Sequence, residues 1–213
     1  SLERLNLDKI DIYCLHRDNK DIPVSEFIDA LDEIKAEGLI HKIGASNWKL
    51  ERFKQARDFA LKENKEPFTI LSNNFSLAEM IDPVWPGCVA IDNNFLDYID
   101  QNNIILFPWS STARGFFIKK KEIATSDHFS NPSMDEEKRV WHSESNLKKR
   151  EICFNIAAKR KVEPIEIALA YVIQSSKIIF PLIGPRTINE LNSSIFATSL
   201  NLTDAEIEQL TIT

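Results

Sequence analysis

The chain has 213 residues, 43% hydrophobic and 27% charged, an ordinary balance for a water-soluble protein and enough for one substantial core. A formal charge of −6, with no Lys/Arg tract interleaved with aromatic residues, leaves no basic field for phosphates and excludes nucleic acid as a partner. No apolar run is long enough to span a bilayer and no secretory segment is present, so a cytoplasmic protein without membrane contact is expected. Cys14, Cys88 and Cys153 have no CxxC spacing and fit reduced thiols, and the sequons at Asn74, Asn192 and Asn201 are read as chance.

Taken in order, Ile10 to Leu15 is an apolar strand that stops on His16 and opens into a polar loop. Pro23 opens a helix with Phe27, Leu31 and Ile34 on its buried stripe, and Gly38 ends it. Ile40 to Ala45 is the second strand, and Lys49 to Glu63 a helix carrying Leu50, Phe53, Ala56 and Ala60 on one side. Phe68 to Leu71, Ile104 to Trp109 and Ile178 to Ile183 complete five strands. Helices are expected over Ile91 to Gln101 and Ile165 to Ile173, and Thr203 with Glu206 has capping-box spacing ahead of a short last helix. Strands alternating with helices argue for a parallel sheet with helices outside. From Ala113 to Ser145 the periodicity fails, which reads as an irregular loop insertion or lid within a single domain spanning residues 1–213.

A strand that delivers an imidazole at its carboxyl end suits a parallel fold, whose working face lies there. On residue chemistry alone, His16 fits a hydrogen-bonded strand-end histidine better than a catalytic one. His16-Arg17-Asp18 also begins like a kinase catalytic loop, but Pro23 stands where that motif needs Asn. Ser46 and Asn47, between a strand and a helix, fit N-capping, and Ser110, Thr112 and Arg114 fit a solvated loop.

The stretches IDIYCLHRDN, ALDEIKAEGLIHKIGASNW, FPWSSTARGFF and IALAYVIQSSKIIFPLIGPRT, in this order, resemble the aldo-keto reductases over nearly the whole chain. The resemblance implies an α/β fold of the (β/α)8 TIM-barrel type, incomplete here, with about strands 4 to 8 and their outer helices. It implies reduction of a small-molecule aldehyde or ketone by NADPH, with NADH as an alternative, and no Rossmann glycine fingerprint is present. His16 then falls where the family orients the substrate carbonyl oxygen. Ser46, Asn47 and Ser72 fall at the nicotinamide carboxamide, with Asn74 as a substitute contact, and Trp109 at the face of the ring. Ser110, Thr112 and Arg114 fall at the pyrophosphate, and Gly184, Arg186 and Ser194 at the adenosine end, where Glu190 replaces a basic residue common in NADP-preferring members.

The family's general-acid tyrosine, with its lysine and aspartate, lies before the LH strand and has no counterpart among these residues. Tyr13 points away from His16, and Tyr98 and Tyr171 sit in helical patterns. A catalytically incomplete C-terminal part of a longer protein is therefore expected, inactive by itself. A nucleotide-sensing or regulatory binding module is the alternative, and the oligomeric state is open. Trp85-Pro86-Gly87 is the candidate aromatic wall of a substrate pocket.

Overall fold

The computed structural model describes residues 1–118 and 134–211. Helix α1 (Leu2–Leu5) precedes β1 (Ile10–Leu15), α2 (Val24–Ala36), β2 (Ile40–Ser46), α3 (Leu50–Lys62) and β3 (Ile70–Ser72). There follow α4 (Asn93–Gln101), β4 (Ile105–Leu106), α5 (Met134–Trp141), α6 (Glu144–Arg160), α7 (Pro164–Gln174), α8 (Ile188–Ala197) and α9 (Asp204–Thr211). The four strands form one parallel sheet in the order β1-β2-β3-β4, the chain order that right-handed β-α-β crossovers build. Among the described residues no helix is long and apolar enough to cross a membrane.

Register sets the level of the strand ends. Leu15 pairs with Ala45 and Ser46 with Ser72, so the residues that leave these strands emerge on one rim. Gly44 makes this pairing sterically feasible: a Cβ there would lie 2.7 Å from Cys14 Sγ and 2.8 Å from both Ile70 Cβ and the Ile70 carbonyl oxygen.

The buried apolar residues form two clusters, one on the sheet and one among the later helices. Trp48, Phe53, Phe68, Phe95 and Ile99 lie between the sheet and α2 to α4, and the rings of Phe53 and Phe68 stack with centroids 5.7 Å apart. Phe116, Phe117, Trp141, Cys153, Ile167 and Leu210 form the second, among α5, α6, α7 and α9.

Three elements differ from the sequence reading. The strand expected over Ile104 to Trp109 is only Ile105–Leu106, because Pro108 has no N–H to extend the ladder, although Phe107 and Trp109 still donate to the carbonyls of Leu71 and Asn73. Ile178 to Ile183 is not a regular strand. It runs beside β4 through Leu106 N–H to Ile178 O, Phe180 N–H to Leu106 O and Leu182 N–H to Pro108 O, with a single bridge between Leu106 and Ile179. Pro181 removes a further donor.

The third difference is the stretch from Ala113 to Ser145, whose residues 119–133 lie outside the described residues. The rest is not an irregular loop. A 3₁₀ turn covers Ala113–Gly115, α5 buries Val140 and Trp141 completely, and Ser143 caps α6 by accepting the Asn146 N–H at 3.0 Å. α6 escaped the apolar count because its first turns bury polar groups. The Asn146 amide donates to the Glu79 and Trp141 carbonyls, each at 2.8 Å, and accepts the Glu79 N–H at 2.8 Å. Pro23, expected inside the first helix, is its N-cap.

Two consequences are measurable. Trp141→Ala should destabilise the fold by about 3–5 kcal/mol in urea titrations, as loss of a fully buried aromatic does, whereas Leu147→Ala, 46% exposed, should stay near neutral. Arg160 Nε donates to Glu206 Oε1 at 2.7 Å and joins α6 to α9, holding the Glu206 carboxyl down at about 2 from its usual 4.5. A carboxyl lowered on folding stabilises above its unfolded value and loses that contribution as pH falls through the folded one. The stability gap between wild type and Glu206→Gln, read from urea midpoints, should therefore be full near neutral pH and fade as pH drops from 4.5 towards 2.

Candidate active site

His16 is the first residue beyond β1 and is exposed; its carbonyl accepts from Asn47 Nδ2 at 3.4 Å. Ser46 closes β2, and its hydroxyl donates to the Ser72 carbonyl at 2.5 Å, tying the ends of β2 and β3 together. Asn47 takes a left-handed conformation (φ 58°). Its amide also donates to Ser46 Oγ at 3.0 Å, and its oxygen accepts the Val89 N–H at 3.2 Å. One buried amide thus fastens three loop ends, more than the N-cap expected from its position. The cap of α3 is Lys49 instead.

His16, Ser46 and Ser72 meet on an open hollow of about 340 Å³, together with Cys14, Phe107 and Leu182. Cys14 precedes His16 by two residues and so shares its face of the strand. Burial pushes its thiol up to about 11, which keeps it protonated and non-nucleophilic at neutral pH. Among the described residues, no tyrosine, lysine or aspartate lines this hollow. Tyr13 packs against α2 on the opposite face, Tyr98 Oη accepts from Arg57 Nε at 3.2 Å, and Tyr171 lies in α7 with its pKa raised by burial.

A second cleft of about 310 Å³ is lined by Ser110, Thr112, Arg114, Gly184, Arg186 and Glu190, among others. Leu182 lines both, so the cleft adjoins the hollow. The hydroxyl of Ser111, between two of the expected residues, donates to the Leu182 carbonyl at 2.8 Å and fixes the turn after β4 to the last extended segment. That turn has positive φ at Ser110, Ala113 and Arg114, and a Cβ on Gly184 would meet nothing within 4 Å.

The remaining expected residues are placed less simply. The Trp109 carbonyl accepts from Asn74 Nδ2 at 3.1 Å, so the Asn74 amide suggested as a substitute contact is engaged. Trp109 lines neither the hollow nor the cleft. The Arg114 guanidinium stands 5.3 Å over the Trp85 ring and 3.7 Å from Glu136. Ser194 donates to the Glu190 carbonyl at 2.9 Å, one turn back on α8.

A model of the aldo/keto reductase family matches residues 1–213. The chain belongs to this family. Among its relatives, a probable aldo-keto reductase 1 of Glycine max is 23% identical over 218 residues, covering 98% of this chain and 56% of the relative. The glycerol dehydrogenase of Gluconobacter oxydans superposes with a TM-score of 0.74 at 21% identity, covering 98% of this chain and 59% of the other. An aldo/keto reductase of Klebsiella pneumoniae, solved with NADP and acetate, superposes with a TM-score of 0.68 at 21% identity, covering 98% and 60%. The expected α/β fold of barrel type is therefore shown, and the chain spans about half the length of the curated relatives it matches.

The sequence reading missed Arg17. Its guanidinium donates to the Pro86 carbonyl, 69 residues away, and a Cβ on Gly87 (φ 81°) would come within 2.8 Å of Arg17 Nη1. Arg139 donates to the carbonyls of Pro83 at 2.8 Å and Val84 at 3.3 Å. The Trp85 segment is thus strapped down from two sides, by the loop after β1 and by α5. No local sequence signal marks such contacts.

Asn47→Ala should cost about 2–4 kcal/mol, combining the lost buried hydrogen bonds with left-handed strain. Asn47→Gly should recover only the backbone share, and urea unfolding of both variants separates the two.

Proposed function

We propose that the chain carries the cofactor-binding and carbonyl-orienting portion of a reductase that converts an aldehyde or ketone to an alcohol with NADPH or NADH. The observation that carries this reading is the junction of two surfaces at Leu182: the hollow with His16 and the hydroxyl-lined cleft. The donor set fits a dinucleotide. Hydroxyls of Ser110 and Thr112 lie beside the unobstructed Gly184 backbone and the Arg186 guanidinium, groups that suit phosphate and ribose oxygens.

Ser46 and Ser72 would hold the nicotinamide end, Ser110, Thr112 and Arg114 the pyrophosphate, and Gly184 and Arg186 the adenosine; Asn47, Trp109 and Ser194, also expected from the resemblance, line neither surface and would support these residues from behind. A bound nicotinamide supplies the hydride. His16 would donate a hydrogen bond to the carbonyl oxygen as negative charge gathers there, a contact that strengthens towards the transition state. Proton donation needs another group, because among the described residues no tyrosine, lysine or aspartate lines the hollow. We assign it to a segment outside these 213 residues, consistent with the chain's share of its relatives' length. The three unbridged cysteines support a reducing, cytosolic setting.

The test is oxidation of NADPH and NADH by the intact protein with a panel of aldehydes and ketones, followed by optical absorbance. His16→Ala should lower kcat by about 10²–10³ while nucleotide affinity holds. Nucleotide binding without turnover of any carbonyl would replace this reading with a sensor or regulatory module.

A further inference from the structure

A cavity of about 430 Å³ lies apart from the hollow and the cleft and shares no lining residue with either. Its volume falls in the range of roughly 300–1,000 Å³ that small-molecule sites occupy. The segment after β3 supplies Phe75 and Leu77, the approach to α4 supplies Ile91 and Asp92, and α6 and α7 supply Lys149 and Tyr171. The Phe75 and Tyr171 rings stack with centroids 6.4 Å apart, which gives the cavity an aromatic wall.

Lys149 is the unusual member of this lining. Its side chain is only 7% exposed, so water scarcely reaches the ammonium, and a buried charge is costly unless its hydrogen bonds are met. An ammonium carries three donors. Among the described residues one acceptor meets them, Glu79 Oε1 at 2.6 Å, and that carboxylate is itself 66% exposed. The remaining N–H groups have the cavity as the place where an acceptor can stand.

We infer that this cavity binds a small amphipathic monocarboxylate, whose carboxylate completes the hydrogen bonds of Lys149 and whose apolar body lies against Phe75, Leu77 and Ile91. The acidic groups of the lining set the charge of this ligand. Glu79 and Asp92 are both exposed, and one Asp92 oxygen is committed to the α4 cap, accepting the Phe95 N–H at 2.8 Å. Carboxylates on the solvent side repel a dianion twice as strongly as a monoanion, which disfavours phosphate. An organic cation is drawn to them but meets the Lys149 charge inside. A monocarboxylate meets that charge with an acceptor, and Glu79, already at the surface, loses little by turning to water.

The experiment is calorimetric titration of benzoate, benzamide, benzylammonium and inorganic phosphate into the intact protein. Benzoate should bind with a dissociation constant of about 1 mM or tighter, and each of the other three about tenfold or more weakly than benzoate. Lys149→Met should abolish benzoate binding. Ala90→Leu fills the cavity from another wall and leaves the Lys149–Glu79 pair intact; it should abolish binding too, so a misfolded Lys149→Met protein does not decide the matter. His16→Ala should bind benzoate as wild type does, which separates the cavity from the hollow. No binding of benzoate, equal binding of benzamide, or benzoate binding that survives in folded Lys149→Met or Ala90→Leu protein overturns the inference. Loss of benzoate binding in His16→Ala places the ligand in the hollow and overturns it equally.

Discussion

The candidate site depends on how closely β2 is held between its neighbours. At Gly44 the space a methyl group would fill is taken by the Cys14 sulfur on one side and by Ile70 on the other. A larger residue there would push β1 and β3 apart or shift their register. A one-residue slip turns every side chain to the opposite face. Because the fit holds, Leu15 stays level with Ala45 and Ser46 with Ser72, and His16, Ser46 and Ser72 leave the sheet on one rim. The Ser46 hydroxyl and the Asn47 amide then close the gaps between strand ends with hydrogen bonds that only this register permits. The site is a product of backbone packing before it is a set of side chains.

Legibility in the sequence followed the kind of force involved. Elements built on apolar periodicity were plain: β1 is Ile10–Leu15 as read, α3 and α7 fall where their buried stripes put them, and Thr203 with Glu206 closes the capping box. Elements built on polar burial were not. α6 hides behind Asn146 and Lys149, both buried, the first through three hydrogen bonds and the second through Glu79 at 2.6 Å. Among the described side chains, α5 adds two large apolar residues to the core, Val140 and Trp141, which are adjacent and show no period. The strand through Leu106 was overread because apolar runs do not register what Pro108 and Pro181 remove from the ladder.

Site residues divide the same way. Residues at strand ends, His16, Ser46 and Ser72, came together as their order in a parallel sheet requires. Ser110, Thr112, Arg114, Gly184 and Arg186 share one cleft although 70 residues of sequence separate its two halves in part. The family resemblance, and no local pattern, linked them. Arg17 and Arg139 had no such guide, since their partners are backbone carbonyls of a distant loop and a carbonyl carries no residue identity.

Those carbonyl contacts belong to a wider habit of this chain. Arg52 donates to Asp18 and the Asn19 carbonyl, Arg150 to the carbonyls of Phe116 and Ile118, and Arg160 to Glu206. Each guanidinium joins segments far apart in sequence, and its fork geometry lets one side chain satisfy two acceptors.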